Sequence, residues 1–132
     1  MTDTPMAPVS WGELLEKITI LQIKTERMTD PAKRANVVTE LTLLSDIAGD
    51  APQKVSSLMT ELKSVNESLW EVEDLIRDKE AAQAFDAEFV RLARAVYVTN
   101  DRRADLKRQI NHALGSHLVE EKSYKPYIAD AK

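Results

Sequence analysis

Asn100, Arg103 and Lys107 fall at i, i+3 and i+7, so they share one face of a helix. The surrounding pattern of Phe89, Leu92, Val96, Leu106, Ile110 and Leu114 would put apolar side chains there. Upstream, Asn66, Trp70, Glu73 and Arg77 are spaced 4, 3 and 4 apart and flank a second apolar seam, with Asp74 beside them. Lys17 and Lys24 stand seven apart next to a third stripe. Burying an ionised side chain is costly unless it is paired, so a polar belt on core-side surfaces needs a reason. One reason is a site for a small anion such as a carboxylate, phosphate or sugar phosphate. Arg103 and Lys107 would then hold the anion, Glu73 would act as base or acceptor, and Trp70 would be a wall. The other reason is an ion-pair network that sets helix register. Spacing alone leaves both open. It assigns no catalytic residue, and whether the chain is an enzyme stays undecided.

Other chemistries fit less well. Glu67, Glu71, Glu73, Asp74 and Asp78 put several carboxylates on one helix, and magnesium takes oxygen ligands. A magnesium site needs more carboxylates on a facing helix. Glu88 is misplaced for that, and Asp101 and Asp105 are interleaved with arginines, so no metal is expected. His112 and His117 are five apart across Gly115, which is no ligand pair. The chain has no cysteine, which removes disulfides, thiolate metal sites and a cysteine nucleophile. It has no glycine-rich phosphate loop, and no cofactor is expected. A net charge of −4 argues against a general nucleic-acid binder. The cations Arg91, Arg94, Arg102, Arg103, Lys107 and Arg108 are also spread around their helix rather than aligned. No stretch approaches the ~20 apolar residues of a membrane span. The first ten residues lack the basic start and apolar run of a signal peptide, so the expected location is the cytoplasm.

The elements that must position the belt are helices. Ser10-Trp11-Gly12-Glu13 reads as a capping box, in which Glu13 reaches back to the Ser10 amide. Leu14, Ile18, Leu21, Thr25 and Met28, with Leu15 alongside, form the stripe behind it. Asp30-Pro31 opens a second helix, striped by Val37, Leu41, Leu44 and Ile47 and running to about Ala48. Gly49 supplies a left-handed stop, and Asp50-Ala51-Pro52 a turn. A third helix carries the seam Val55, Leu58, Leu62, Val65, Leu69, Val72 and Ile76. It weakens over residues 79–85, where either Asp86 caps a fourth helix or the chain bends without a full break, and Gly115 ends the last helix. The last two helices should pair antiparallel. A fold near residue 84 sets Trp70 opposite about Val98 and Asn66 opposite about Arg102. The expected architecture is all-α: one domain over 1–132, a bundle of about four helices with a long antiparallel hairpin. Residues 1–9 form a flexible start and residues 116–132 an extended tail. Tyr124 and Tyr127 would pin that tail, dock a neighbouring subunit or close over a site.

The opening Pro-Val-Ser-Trp-Gly-Glu-Leu at residues 8–14 is one of a set of motifs. Others are Leu69-Trp70 with Glu73-Asp74 and Ile76-Arg77, then Asn100-Asp101-Arg102, Lys107 and Ile110-Asn111. Together they resemble a family of small bacterial proteins of unknown function, and the resemblance spans nearly the whole chain. It implies that the polar belt is characteristic of the family and supplies no activity. The leading functional expectation is a non-catalytic helical module that self-associates or binds a partner protein. The alternative is a small-molecule site, of a binding protein or an enzyme, formed by Lys17, Lys24, Asn66, Trp70, Glu73, Arg77, Asn100, Arg103 and Lys107.

Overall fold

A proline or glycine marks two of the four boundaries between the helices, Pro31 at the first and Gly49 with Pro52 at the second. The computed structural model describes residues 4–127, and the ends of the expected flexible start (residues 1–3) and tail (residues 128–132) lie outside that range. Among the described residues there are five helices and no strand: α1 (Trp11–Arg27), α2 (Pro31–Ala48), α3 (Ala51–Lys54), α4 (Ser56–Ala81) and α5 (Ala87–Leu114). None is long and apolar enough to cross a membrane.

The caps follow local chemistry. Ser10 Oγ accepts the Glu13 amide, Asp30 accepts from Ala32, and Asp86 accepts from Phe89. Gly115 stops α5 in the left-handed region (φ 63°, ψ 45°). Gly49 also has positive φ (58°) but with ψ −128°, so it is not the left-handed helix stop that its position suggests. Where a simple turn was expected after it, Pro52 sits in the first turn of the one-turn helix α3. Val55, at φ −129° and ψ 40°, is the non-helical residue between α3 and α4.

Helix α1 is the centre of the fold and packs against α2, α4 and α5. That explains a burial pattern wider than one stripe: Leu15, Thr19 and Ile23 are buried as well as Leu14, Ile18 and Leu21. Leu14, Leu15 and Ile18 meet Leu62 of α4 and Leu106 and Ile110 of α5 in the main cluster. On α2 the inward row is Val37, Leu41, Leu44 and Ala48, while Ile47 is 54% exposed. Residue 48 takes the place expected of Ile47 because it continues the 4-3-4 row from Val37.

Helices α4 and α5 run in opposite directions side by side. Lys79 reaches Asp86 at 3.0 Å near the turn, Asn66 meets Arg103 midway, and Glu61 meets Arg102 at 2.5 Å further down. Asn66 thus meets Arg103, next to the Arg102 expected. Helix α1 ends level with Trp70 and Glu71, where Arg27 contacts both. Residues 72–81 of α4 and the opening of α5 continue past that level, roughly 15 Å at 1.5 Å per residue.

The polar belt and two adjoining cavities

The belt is built on a chain of oriented hydrogen bonds. Thr19 is buried and donates its hydroxyl proton to the Glu16 carbonyl at 2.6 Å. With that proton used, its oxygen can only accept, so Asn66 presents Nδ2 to it at 2.9 Å. The Asn66 carbonyl oxygen is thereby turned to α5, where it accepts from Arg103 Nη1 at 3.2 Å. Arg103 Nη2 donates to Asn100 Oδ1 at 2.7 Å, one turn back on the same helix. Two neutral amides therefore hold the guanidinium plane without cancelling its charge. The nearest carboxylate oxygen, Glu16 Oε1, is 3.5 Å from Arg103 Nε.

Glu16 is committed elsewhere. Its Oε2 lies 2.6 Å from Lys107 Nζ, an ionic contact, and has no aligned hydrogen-bond donor. Lys107 is buried (8% exposed), and its ammonium also donates to Glu13 at 2.8 Å and to Glu120 at 3.1 Å. Burial works to discharge the lysine, but the hydrogen bonds and charges of Glu13, Glu16 and Glu120 outweigh it, so its pKa is raised above the usual 10.5. Glu13 does not reach back to Ser10 as a capping box would have it; the ammonium, a charged donor, takes its carboxylate instead.

Glu120 belongs to the segment after α5, which is tied down at two places. Ser116 Oγ accepts the Trp11 amide at 3.2 Å and donates to the Leu118 carbonyl at 2.7 Å. Glu120 then anchors the chain to Lys107, whose hydrogen bond holds the Glu120 carboxyl below its usual 4.5. A depressed carboxyl pKa stabilises above the unfolded value and loses that contribution as pH falls through the folded value. Acidifying the protein below pH 4.5 should therefore release residues 120–127 while the helices persist. Tyr127 packs edge-on against Tyr97 of α5, with centroids 5.3 Å apart, so its ring NMR resonances should move to exposed-tyrosine positions over that acid range. A Tyr127 spectrum unchanged until the helices themselves melt would refute this.

Two cavities meet at Asn100 and Arg103. The first, about 380 Å³, lies among α1, α4 and α5, with Ile20, Ile23 and Leu69 as its apolar wall. Five of the residues singled out from spacing line it: Asn66, Trp70, Glu73, Asn100 and Arg103. The second, about 450 Å³, lies between α5 and the tail and takes Lys107 as well. The remaining three residues lie apart from these two cavities. Lys17 faces the other way and pairs with Glu40 of α2 at 3.0 Å. Arg77 is exposed and pairs with Glu73 at 3.5 Å, one turn away on its own helix. Lys24 lines neither cavity. The Trp70 ring is covered in part by Arg27, whose guanidinium carbon lies 6.0 Å from its centroid.

Several important residues were not singled out from spacing. Thr19 and Glu16 interrupt the apolar pattern of α1 just as Asn100 and Arg103 interrupt that of α5, so the same signal was present. Asn111 is buried and accepts the Gly12 amide at 2.6 Å, and nothing local announces that pairing. Tyr97 and Glu120 acquire partners only through the return of the tail.

A model of a family described as a family of unknown function, DUF6165, matches residues 6–131. No curated protein and no solved structure matches the chain.

Proposed function

The chain belongs to the family of unknown function DUF6165, and from its own geometry we propose that it binds a small anionic ligand seated on Arg103 and Asn100. The observation that carries this reading is that these two side chains line both cavities. Arg103 has five N–H donors; Asn66 and Asn100 take one each, and Nε faces Glu16, which leaves donors on the terminal nitrogens for a ligand. Neutral amides fix the plane of the guanidinium, so a carboxylate or phosphate meets a pre-oriented fork rather than a mobile side chain. Its counter-charge is weak, because Glu16 is nearer to Lys107 than to Arg103. Lys107, saturated by three carboxylates, acts here mainly as the post that fixes Glu16.

The test is thermal unfolding with inorganic phosphate, pyrophosphate and citrate. A ligand at 100-fold its Kd stabilises a fold by ~2.7 kcal/mol, which raises the melting temperature by several degrees. At least one of the three anions should do this for the native chain. Arg103→Met should weaken that binding at least about tenfold while the far-ultraviolet circular dichroism stays helical. If none of the three shifts the transition, the reading fails.

A second reading, self-association, is favoured by the part of α4 and α5 that runs past the end of α1. There Leu75, Phe85 and Val90 are each about half exposed, on a two-helix extension that has no third helix against it among the described residues. Two copies packed through this end would cover those side chains. Light scattering should then report a dimer that Phe85→Glu dissociates; a native monomer at high concentration would remove this reading.

A further inference from the structure

The geometry points to a nucleoside diphosphate as the class of ligand taken by the cavity between α5 and the tail; this deepens the anion-binding reading and rests on it. The cavity's volume of about 450 Å³ is within the range of small-molecule sites. Its charge is unlike that of its neighbour. Arg103, Lys122 and Lys125 face it against one carboxylate, Asp101, while Lys107, also in its wall, is spent on Glu13, Glu16 and Glu120. The adjoining cavity has Glu73 and Asp74 against Arg103 alone. A multiply charged anion therefore extends from Arg103 toward the tail rather than toward Trp70. The available cations come from both walls, Arg103 from α5 and Lys122 and Lys125 from the tail, which suits a ligand carrying more than one anionic group.

The same cavity collects all three tyrosines of the chain, Tyr97, Tyr124 and Tyr127. The protein itself uses their rings little. Tyr97 is 42% exposed, Tyr127 52% and Tyr124 78%. Among the described residues their aromatic and cation contacts are the edge-on pair of Tyr97 with Tyr127 and Lys122 Nζ, 5.8 Å from the Tyr124 centroid. Exposed aromatic faces beside cations are what a flat ring carrying phosphates requires: the ring stacks and the phosphates pair. The spacing is consistent. Tyr97 lies ten residues before Lys107 on α5, roughly 15 Å away, and the extended chain from Glu120 to Tyr127 spans that distance. Glu120 on Lys107 and Ser116 on Trp11 hold the near end of the tail, so residues 121–127 lie as a strap across the ligand. Asn100 gives its carbonyl to Arg103, which leaves its amide N–H groups as donors for a phosphate.

The experiment is isothermal titration of the full chain with ADP, UDP and inorganic pyrophosphate. The nucleoside diphosphates should bind at least about tenfold more tightly than pyrophosphate, the margin expected of one stacked base. Tyr97→Ala and Tyr127→Ala should each reduce that margin, and the pair should erase it, with pyrophosphate affinity unchanged within about twofold. Both rings are substantially exposed, and Lys125→Ala offers a third surface variant that should weaken the diphosphates and pyrophosphate alike. Equal affinity for all three ligands, still dependent on Arg103, would overturn the ring seat and leave the anion site standing. A margin that survives the double tyrosine variant would likewise overturn it. No binding of any of the three would overturn this inference together with the phosphate form of the anion reading.

Discussion

Replacing Lys107 with methionine should lower stability by about 3 kcal/mol, or about 10 °C in melting temperature for a domain of this size. The loss comes less from the removed ion pairs than from what remains. Glu16 is buried, and with the ammonium gone its nearest cation is Arg103 at 3.5 Å. Glu13 and Glu120 would then crowd the same place as unbalanced like charges. The double variant Glu16→Gln/Lys107→Met should therefore recover at least half of the loss, which chemical denaturation of the four species in a double-mutant cycle would measure. The pH dependence is equally specific. A raised lysine pKa contributes stability that is fully present below the unfolded value of 10.5 and is lost as pH rises through the folded value. The deficit of Lys107→Met should thus stay level across neutral pH and shrink only above pH 10.5. A cost below 1 kcal/mol at neutral pH would mean that the carboxylates are solvated after all, in the manner of surface pairs.

Gly12→Ala should destabilise by about 2 kcal/mol or more, although helix propensity alone predicts a gain of about 1 kcal/mol for the same change. Gly12 lies in the first turn of α1 with an ordinary backbone, so its conformation does not require glycine. The reason is proximity. A Cβ there would stand 2.7 Å from the Lys107 carbonyl oxygen, 3.0 Å from Asn111 Oδ1 and 3.1 Å from Lys107 Cβ. The first of these is backbone inside α5 and cannot swing aside. Moving α1 outward would also stretch the 2.6 Å bond from the Gly12 amide to Asn111 and loosen Glu13 and Glu16 from Lys107. Urea denaturation compares the two expectations by sign, and a stabilised Gly12→Ala would show that the helices approach less closely than described.

These two positions illustrate how unevenly the site was legible. Asn100 and Arg103 stood out because polar residues replaced apolar ones in a regular stripe, Asn66 because it flanks an apolar seam, and the three do share a cavity wall. Lys17 and Arg77 met the same spacing criterion, yet they point to Glu40 and Glu73 at the surface. Spacing places a residue near a stripe to within about a quarter of a turn, and that is too coarse to separate the rim of a helix interface from its solvent flank. Glu13 drew attention as half of a capping box, whereas its carboxylate is spent on Lys107, 94 positions along the chain.

What the residues dictated unaided is the helical character of the chain and most of its boundaries. Asp30-Pro31, Asp86 and Gly115 act on backbone groups within a few positions of themselves, so their effect can be read without knowing the fold. The apolar rows that face inward on α4 and α5 follow from a period of 3.6 residues in the same local way. Which charges pair, which glycine is indispensable and where the tyrosines gather were decided only when α1 settled between its neighbours and the tail came back along α5. Such outcomes depend on the rotation and separation of whole elements. Those quantities are set by the summed packing of many side chains, and the spacing of any few of them does not carry that information.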